Sequence, residues 1–220
     1  MGIRMIKGVI FDLDGVLVST DEMHFKAWEK FAKELGIINF TKEDNKRQKG
    51  VSRMESLEVV LSKGSRVYSE EEKQEFAERK NQYYIKLLQS LKEDAILPGV
   101  INTLKMLKEK EILIGIGSVS KNTPLILDKT GLTPYIDKVS CGLDITRSKP
   151  DPQVFEVAAE KLGLLKEDCL VVEDSIAGII AAKAAHMRTL GVGPEYKQLR
   201  ADYAVANLQE EIDWKSILDS

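Results

Sequence analysis

Two aspartates, Asp12 and Asp14, stand at the end of a short apolar run at residues 9–11 and are followed by a glycine. An apolar run that ends in such a loop is typical of a buried strand. Residues two apart on an extended segment point to the same side, so both carboxylates should face one point beyond the strand. Unpaired acids brought together in this way repel each other and lose hydration. The pair therefore indicates a bound cation or a reactive carboxylate, the plainer alternative being acids that merely end a strand.

A second acidic pair, Glu173 and Asp174, follows another apolar run at residues 169–172. In an open α/β sheet, ligands bind at the edge formed by the carboxyl ends of the strands, and both pairs belong to that edge. Carboxylates, together with water and phosphate, make the hard oxygen ligand set that Mg²⁺ favours. Asp174 or Ser175 could instead cap the following helix, and capping by Ser175 is compatible with metal binding by both acids. The two pairs together predict a magnesium site.

Ser118 and Lys149 are candidates for binding a phosphate beside these acids. Ser118 follows the strand-like run at residues 112–117 and precedes a predicted helix, where a hydroxyl and backbone N–H groups would form a phosphate seat. A serine before a helix is more often a simple cap. Lys149 lies in the stretch Ser-Lys-Pro-Asp-Pro, in which we expect Asp151 to be a helix N-cap and Pro152 the first helical residue. Such a stiff turn would hold Lys149 firmly, as neutralising the charge of a nearby phosphate would require. An exposed surface lysine is the usual alternative.

A basic turn, Lys49-Gly-Val-Ser-Arg53, is found far from these strands in the sequence. Ser52 and Glu55 have the spacing of a capping box, which predicts a helix that begins at Arg53. A cation in the first turn opposes the helix macrodipole, but it can help the free backbone N–H groups to bind an anion. Two exposed basic residues in a loop are the alternative. His24 lies on another predicted helix, where on its own it is more simply explained as a structural histidine.

The elements that must position these residues alternate between strands and helices in the second half of the chain. The sequence predicts strands at residues 9–11, 112–117, 138–141, 169–172, 188–192 and 202–205, and helices at 122–129, 152–162 and 176–185. Alternation of this kind is typical of a parallel sheet covered by helices on both faces. We therefore predict an α/β fold with a Rossmann-like parallel sheet core.

The stretch between the first two predicted strands has a different pattern. It is rich in charge and carries apolar residues at helical spacing, among them Phe25, Trp28 and Phe31, with no strand-like run. We predict an inserted α-helical cap domain at residues 19–95 and a core domain formed by residues 1–18 and 96–220. The cap could serve stability alone, or it could act as a lid over the strand ends.

The overall composition is that of an ordinary globular protein, since 43% of the 220 residues are hydrophobic and 30% are charged, with a net charge of −3. This charge gives no electrostatic reason to expect nucleic acid or an anionic membrane as a partner. We expect neither a secretory leader nor a membrane span, which would need ~20 apolar residues. Cys141 and Cys169 form no metal-ligand spacing and no disulfide framework. We expect a cytoplasmic protein.

The full set of motifs resembles the haloacid dehalogenase superfamily of phosphotransferases, over essentially the whole chain. The core motifs are Asp12-Leu-Asp-Gly-Val, Ser118, Lys149-Pro and Glu173-Asp-Ser. Further motifs are similar to those of the β-phosphoglucomutases within that superfamily. These are His24-Phe-x-Ala-Trp28, Lys49-Gly-Val-Ser-Arg53, Arg79-Lys-Asn81 and Ser118-Val-Ser-Lys-Asn122.

The resemblance implies roles for these residues. Asp12 would attack phosphorus to form an aspartyl phosphate, and Asp14 would be the general acid and base. The implied Mg²⁺ ligands are the carboxylates of Asp12, Glu173 and Asp174 and the backbone carbonyl of Asp14. The residues expected to hold the transferring phosphoryl group are Ser118 and Lys149. Those expected to bind the other phosphate or the sugar are Arg53, Ser120, Asn122, His24, Lys49 and Lys80.

The implied reaction interconverts β-glucose 1-phosphate and glucose 6-phosphate through an enzyme-bound bisphosphate, and we expect a monomer that binds a small sugar phosphate. Two alternatives remain. One is a sugar-phosphate phosphatase with the same core, which Lys49, Arg53 and His24 disfavour. The other is a phospho-accepting, receiver-like signalling domain, which would not need a helical insertion of this size.

Overall fold

The strand that leads to Asp12 lies in the middle of a parallel sheet. A computed structural model describes residues 5–219, and in it β1 (Gly8–Phe11) is completely buried and pairs with strands on both sides. The other strands are β2 (Leu113–Gly117), β3 (Lys138–Ser140), β4 (Cys169–Glu173), β5 (Arg188–Gly191) and β6 (Tyr203–Ala204). Their order across the sheet is β3-β2-β1-β4-β5-β6, and every neighbouring pair is parallel. The α/β prediction is confirmed.

The register of the central strands brings several predicted site residues to one edge. Phe11 of β1 aligns with Ile116 of β2 and with Val172 of β4. The chain therefore leaves all three strands at the same edge of the sheet, because parallel strands share their carboxyl ends. The predicted residues found at this edge are Asp12, Ser118, Glu173 and Asp174.

Helices cover the sheet and make up the insertion after β1. The inserted helices are α1 (Asp21–Glu34), α2 (Lys42–Lys46), α3 (Arg53–Leu61) and α4 (Glu70–Leu88). Those that follow are α5 (Val100–Glu109), α6 (Thr123–Lys129), α7 (Gln153–Leu162), α8 (Ile176–Ala184) and α9 (Trp214–Leu218). Short 3-10 turns lie at Glu93–Ala95, Thr133–Tyr135, Lys166–Asp168 and Tyr196–Gln198. Within the part of the chain that the structure describes, no helix combines the length and apolar character needed to cross a membrane.

The inserted helices have an apolar cluster of their own. Trp28 and Phe31 of α1 meet Leu57 of α3 and Phe76 of α4, and the rings of Phe31 and Phe76 are 5.4 Å apart. A separate core of this kind is what an inserted domain requires. It supports the division into a cap at residues 19–95 and a core at residues 1–18 and 96–220, which we propose for this chain. Positions 1–4 and 220 of that division lie outside the described residues.

The segments that enter and leave the cap run side by side. The Ser19 N–H donates to the Ala95 carbonyl at 2.9 Å, and the Leu97 N–H donates to the Leu17 carbonyl at 3.0 Å. Val18 and Ile96 form an antiparallel bridge between them. We call residues 17–19 and 95–97 the paired linkers. Both crossings between core and cap therefore occur at one place.

Several local features differ from the sequence predictions, including element ends that shift by one residue. Helices α5 and α9 were not predicted, although α5 presents Val100, Leu104 and Leu107 to the core at helical spacing. The predicted start of α7 is wrong by one residue, because Pro152 is the N-cap and the helix begins at Gln153. Asp151 still accepts the Gln153 N–H at 2.9 Å, one position before the N-cap.

Candidate active site

Three carboxylates meet at the carboxyl edge of the central strands. Oxygen atoms of Asp12, Glu173 and Asp174 lie within 4.8 Å of one another. The loop after β1 can pass this close because Gly15 has φ +85°, and a side chain there would collide with the Asp174 carboxylate. Three acids at this spacing form a hard oxygen donor set, which fits a divalent cation such as Mg²⁺.

Lys149 is the cation that these acids already contact. Its side chain is fully buried, and Nζ lies 2.6 Å from Asp12 Oδ1 and 3.2 Å from Glu173 Oε2. Burial by itself lowers the pKa of Lys149, but the charges of Asp12 and Glu173 raise it above its usual value. The possibility of a solvated surface lysine is therefore wrong, and Lys149 supplies a fixed positive charge beside Asp12.

The remaining electrostatics of the acids favour a further cation. Burial raises the pKa of Asp12 well above its usual range; Lys149 opposes this shift, while Glu173 and Asp174 reinforce it. Burial and the Glu173 charge also raise the pKa of Asp174 to about 7, against the opposing effect of Lys49. A metal ion at this point would relieve the repulsion among the three carboxylates.

Asp14 lies on the same cavity as Asp12 but has a different set of partners. Thr20 Oγ1 donates to Asp14 Oδ1, and the Tyr84 hydroxyl donates to Thr20 Oγ1 at 3.0 Å. Burial raises the pKa of Asp14 to about 6, although the hydrogen bond from Thr20 and the charges of Lys80 and Lys49 oppose the shift. A carboxyl group with this pKa can both give and take a proton near neutral pH.

Ser118 lies in a turn rather than at the start of a helix. It is buried, its N–H donates to the Ser140 carbonyl at 3.1 Å, and its Oγ accepts the Ser120 N–H at 3.2 Å. Ser120 Oγ accepts the Asn122 N–H at 3.2 Å in the same way. Helix α6 begins only at Thr123. Two consecutive serine turns therefore lie where the phosphate seat is predicted, because these hydroxyls accept hydrogen bonds from backbone N–H groups before the helix begins.

Asn122 and Ser148 contact the cap across the cavity. Asn122 Nδ2 donates to Asn81 Oδ1 of α4 at 3.0 Å. Ser148, which precedes Lys149, donates to Glu55 Oε2 of α3 at 2.6 Å. Two core loops are therefore hydrogen-bonded to two cap helices around the site.

The cap presents its predicted basic residues to the same cavity. The capping box of Ser52 and Glu55 is confirmed, and it starts α3 at Arg53, whose Nη1 lies 3.2 Å from Glu78 Oε2. Lys49, in the preceding loop, lies 2.9 Å from Asp174 Oδ2. Both cations are partly shielded from water, so their charges act on whatever occupies the cavity.

Lys80 and His24 form a buried basic pair beneath these cations. Lys80 Nζ lies 3.0 Å from His24 Nδ1, and it stands 4.5 Å from the Trp28 ring and 4.7 Å from the Tyr84 ring. Burial and the Arg53 charge lower the pKa of Lys80, which Asp14 partly offsets. Burial, Lys80 and Arg53 lower the pKa of His24 well below its usual value. His24 is therefore neutral at pH 7, and its Nδ1 can accept a hydrogen bond from Lys80.

A cavity of about 600 Å³ separates the two sets of residues. Lys149 and Glu173 do not line it; Lys149 contacts both Asp12, which does line it, and Glu173. The predicted residues that line it are Asp12, Asp14, His24, Lys49, Arg53, Lys80, Ser118, Ser120, Asn122 and Asp174. The structure thus brings all the predicted site residues together around one space.

Thr20, Tyr84 and Asn81 are contacts of the site that the sequence analysis did not single out as site residues. Thr20 occupies the N-cap position of α1, yet its side chain makes no cap hydrogen bond and turns to Asp14 instead. A threonine before a helix is ordinarily explained as a cap. The only sequence signal was its position shortly after the acidic loop.

Comparisons with known proteins are consistent with this geometry. A family model described as haloacid dehalogenase-like hydrolase matches residues 9–192. The chain is 41% identical to the β-phosphoglucomutase of Bacillus subtilis strain 168 over 202 residues, which are 91% of this chain and 89% of that protein. It is 31% identical to a phosphorylated carbohydrates phosphatase of Thermotoga maritima over 82% of each chain. A crystal structure of β-phosphoglucomutase from Clostridium difficile matches with a TM-score of 0.90 at 36% identity, covering 97% of this chain and 96% of that one.

Proposed function

Because the chain belongs to the haloacid dehalogenase-like hydrolase family, we propose that it interconverts β-glucose 1-phosphate and glucose 6-phosphate through an enzyme-bound glucose 1,6-bisphosphate. The observation that carries this proposal is the shared cavity, which has Asp12 and Asp14 on its core side and Lys49, Arg53 and Lys80 on its cap side. A bisphosphate carries negative charge at both ends, so it needs positive charge at both ends of its site, which Lys149 and a metal ion bound by the acids would supply on the core side. The similarity to two β-phosphoglucomutases supports the same activity.

Asp12 and Asp14 carry the chemical steps of this proposal. With Asp12 as an aspartyl phosphate, the C6 hydroxyl of β-glucose 1-phosphate attacks phosphorus, its proton passes to Asp14, and the bond from phosphorus to Asp12 breaks. The bisphosphate then turns around in the cavity. Asp12 attacks the phosphorus on C1, the C1 oxygen takes the proton from Asp14, and glucose 6-phosphate leaves. Proton transfer in both directions suits the pKa of about 6 at Asp14.

Lys149 and the acid group would balance charge at the transferring phosphoryl group. Lys149 holds its positive charge 2.6 Å from Asp12 Oδ1. Asp12, Glu173 and Asp174, with the Asp14 carbonyl, would hold Mg²⁺, which would supply the remaining positive charge that a phosphoryl group needs during transfer. Ser118 and the N–H groups of its turn would bind the equatorial oxygens.

The cap residues would bind the sugar and its second phosphate and keep water out. Arg53, Ser120 and Asn122 would hold the phosphate that does not react, and Lys49, Lys80 and His24 would bind the rest of the ligand. The hydrogen bonds from Ser148 to Glu55 and from Asn122 to Asn81 close the cavity. Exclusion of water is what separates a mutase from a hydrolase with the same nucleophile.

A sugar-phosphate phosphatase is the second candidate, favoured by the similarity to the Thermotoga maritima phosphatase. One experiment distinguishes the two. The purified protein with Mg²⁺ is incubated with β-glucose 1-phosphate and a trace of glucose 1,6-bisphosphate, and glucose 6-phosphate and free phosphate are followed together. We expect glucose 6-phosphate to dominate and Asp12→Asn to abolish its formation. Release of mainly free phosphate would instead establish the phosphatase.

We also propose that the protein acts in the cytoplasm as a monomer. Cys141 and Cys169 are both buried and unpaired, as expected in a reducing compartment. The predicted site residues of a single chain meet around one cavity, which supports the proposed monomer. Light scattering of the purified protein measures its mass in solution, and a dimer would contradict the proposed monomer.

A further inference from the structure

Lys49 reaches two carboxylates at once from the loop between α2 and α3. Its Nζ lies 2.9 Å from Asp174 Oδ2 and 3.5 Å from Asp21 Oδ2. Asp174 belongs to the acid group at the strand ends, whereas Asp21 is the first residue of α1 in the cap. The ammonium group is therefore shared between the core and the cap.

The contact with Asp174 conflicts with metal binding. If Asp174 coordinated a cation while Lys49 stayed in place, two positive charges would meet on one carboxylate and repel each other. The loop that carries Lys49 packs directly against the core, because a Cβ atom on Gly50 would lie 2.6 Å from Ser175 Oγ. With the cap closed, Lys49 needs another acceptor within reach of the same backbone position.

Asp21 meets that need. The Asp21 side chain is 50% exposed, whereas that of Asp174 is 6% exposed. Asp21 can therefore pair with the Lys49 ammonium group while Asp174 remains buried and free to bind the metal ion. An acid in the first turn also stabilises a helix. Glu22, the next residue, can do this for α1; it lies outside the cavity, and its Oε2 is 3.1 Å from Lys42 Nζ. Stability of α1 therefore does not explain why Asp21 is directed towards Lys49.

We propose that Asp21 is a positioning residue that takes over the Lys49 ammonium when Asp174 binds its metal ion, so that the cap stays closed over the loaded site. This inference rests on the proposed function only in taking Asp12, Glu173 and Asp174 as the Mg²⁺ ligands. In this inference, Asp21 allows the cap to stay closed without lowering the affinity of the acids for the metal ion.

Mg²⁺ affinity, measured by isothermal titration calorimetry on the full chain without substrate, tests this role. Wild type, Asp21→Asn, Lys49→Met and the double variant form a thermodynamic cycle. Glu22→Gln is the matched control, since it removes the neighbouring first-turn carboxylate of α1 from outside the cavity. Thermal melts in chelator establish that each variant is folded.

We expect Asp21→Asn to weaken Mg²⁺ binding by roughly twofold to fivefold, the range of a partly exposed ion pair. Lys49→Met should strengthen binding, and Glu22→Gln should leave it unchanged. In the Lys49→Met background, Asp21→Asn should have a much smaller effect, because the ammonium that it positions is gone.

Equal losses from Asp21→Asn in both backgrounds would mean that Asp21 acts on the metal only through space, which overturns the inference and leaves the proposed function standing. A wild-type protein that binds no Mg²⁺ would overturn both the inference and the metal requirement. If the cycle behaves as expected but glucose 6-phosphate does not form, the mutase proposal alone fails.

Discussion

Among single residues, His24 and Lys80 are unusual in that two basic groups lie 3.0 Å apart in a buried setting. Two positive charges at this distance would repel strongly where little water screens them. The pair is stable because His24 is neutral and accepts a hydrogen bond, while the faces of Trp28 and Tyr84 surround the ammonium group. Acid should break this arrangement.

The first prediction is that His24 limits the stability of the protein at low pH. Its pKa is lowered in the folded state, so the unfolded chain binds the extra proton and stability falls as the pH drops below the ordinary histidine value of 6.5. In His24→Asn, the side-chain oxygen can accept from Lys80 but cannot be protonated. We expect the melting temperature of this variant to fall less than that of wild type between pH 8 and pH 5, which scanning calorimetry measures.

His186→Asn is the matched control for this experiment. His186 is exposed and has φ 59°, a backbone conformation that asparagine tolerates well. Its melting temperature should follow that of wild type across the same pH range. If His24→Asn also followed wild type, the lowered pKa of His24 would be contradicted.

The second prediction concerns Arg53 and its proposed binding of the phosphate group that is not being transferred. Arg53→Ala should lower kcat/KM for β-glucose 1-phosphate by roughly 10- to 100-fold, the cost of losing hydrogen bonds from a charged group. Hydrolysis of p-nitrophenyl phosphate, which has no second phosphate, should change much less. Arg66→Ala is the control, because Arg66 lies on the same segment but pairs with Glu72 at the surface. Equal losses with both substrates would exclude this role for Arg53.

The sequence could predict the position of a site residue where that residue directly follows a strand. Asp12 and Glu173 were found in this way because each follows an apolar run. Lys149 was ambiguous, since its burial depends on Phe155 and on two acids that are distant in the chain. The turn of Thr20 towards Asp14 was not predictable, because nothing local distinguishes it from a helix cap.

On the scale of elements, the start of α3 links the cap to the loop that carries Lys149. Glu55 Oε2 accepts the Ser52 N–H at 2.7 Å, as a capping box requires, and also the Ser148 hydroxyl at 2.6 Å. One carboxylate thus fixes both the first turn of a cap helix and the neighbour of a buried cation. The position of Arg53 and that of Lys149 are coupled through it.

We predict that Ser148→Ala lets water enter the site more often. Loss of this hydrogen bond removes about 1 kcal/mol of closing free energy, or roughly a fivefold change in the open fraction. Release of free phosphate per glucose 6-phosphate formed should rise by a similar factor, with little change in melting temperature. Ser62→Ala is the control, because the Ser62 hydroxyl bonds to Val59 within the cap at 2.8 Å. The same phosphate release from both variants would argue against the coupling.

The order of elements could be predicted because most strands and helices of the core carry their own apolar pattern. The miss at α5 has a local cause. This helix begins after Gly99, with φ +83° and no side-chain cap, so its start carries no familiar signal. The contacts of Ser148 and Asn122 with the cap depend on how the core and the cap pack against each other. The apolar periodicity within either segment does not predict that packing.

For the whole molecule, the group of three acids predicts that the metal ion stabilises the fold. A ligand that binds only the folded state adds about 2.7 kcal/mol at a hundredfold excess over Kd. For a chain of this size, that corresponds to a rise in melting temperature of roughly 5–10 °C. We expect this rise with Mg²⁺ over chelator, and expect Asp174→Asn to lose most of it. Asp151→Asn, at an exposed ion pair with Arg147, should retain it. A rise of the same size in Asp174→Asn would contradict the metal site.

The paired linkers have a consequence for how proteins of this kind can diversify. Because Leu17 and Ser19 are hydrogen-bonded to Leu97 and Ala95, the two ends of the inserted segment are only a strand spacing apart, ~5 Å. Recombination at these two points would replace the whole segment as a cassette, since any insert with similarly close ends fits the same opening. The sheet register and Asp12 would pass to the descendant unchanged, whereas the hydrogen bonds from Thr20 to Asp14 and from Ser148 to Glu55 would be lost with the old segment. The carboxylates at the strand ends and the cap residues that face them can therefore be inherited separately.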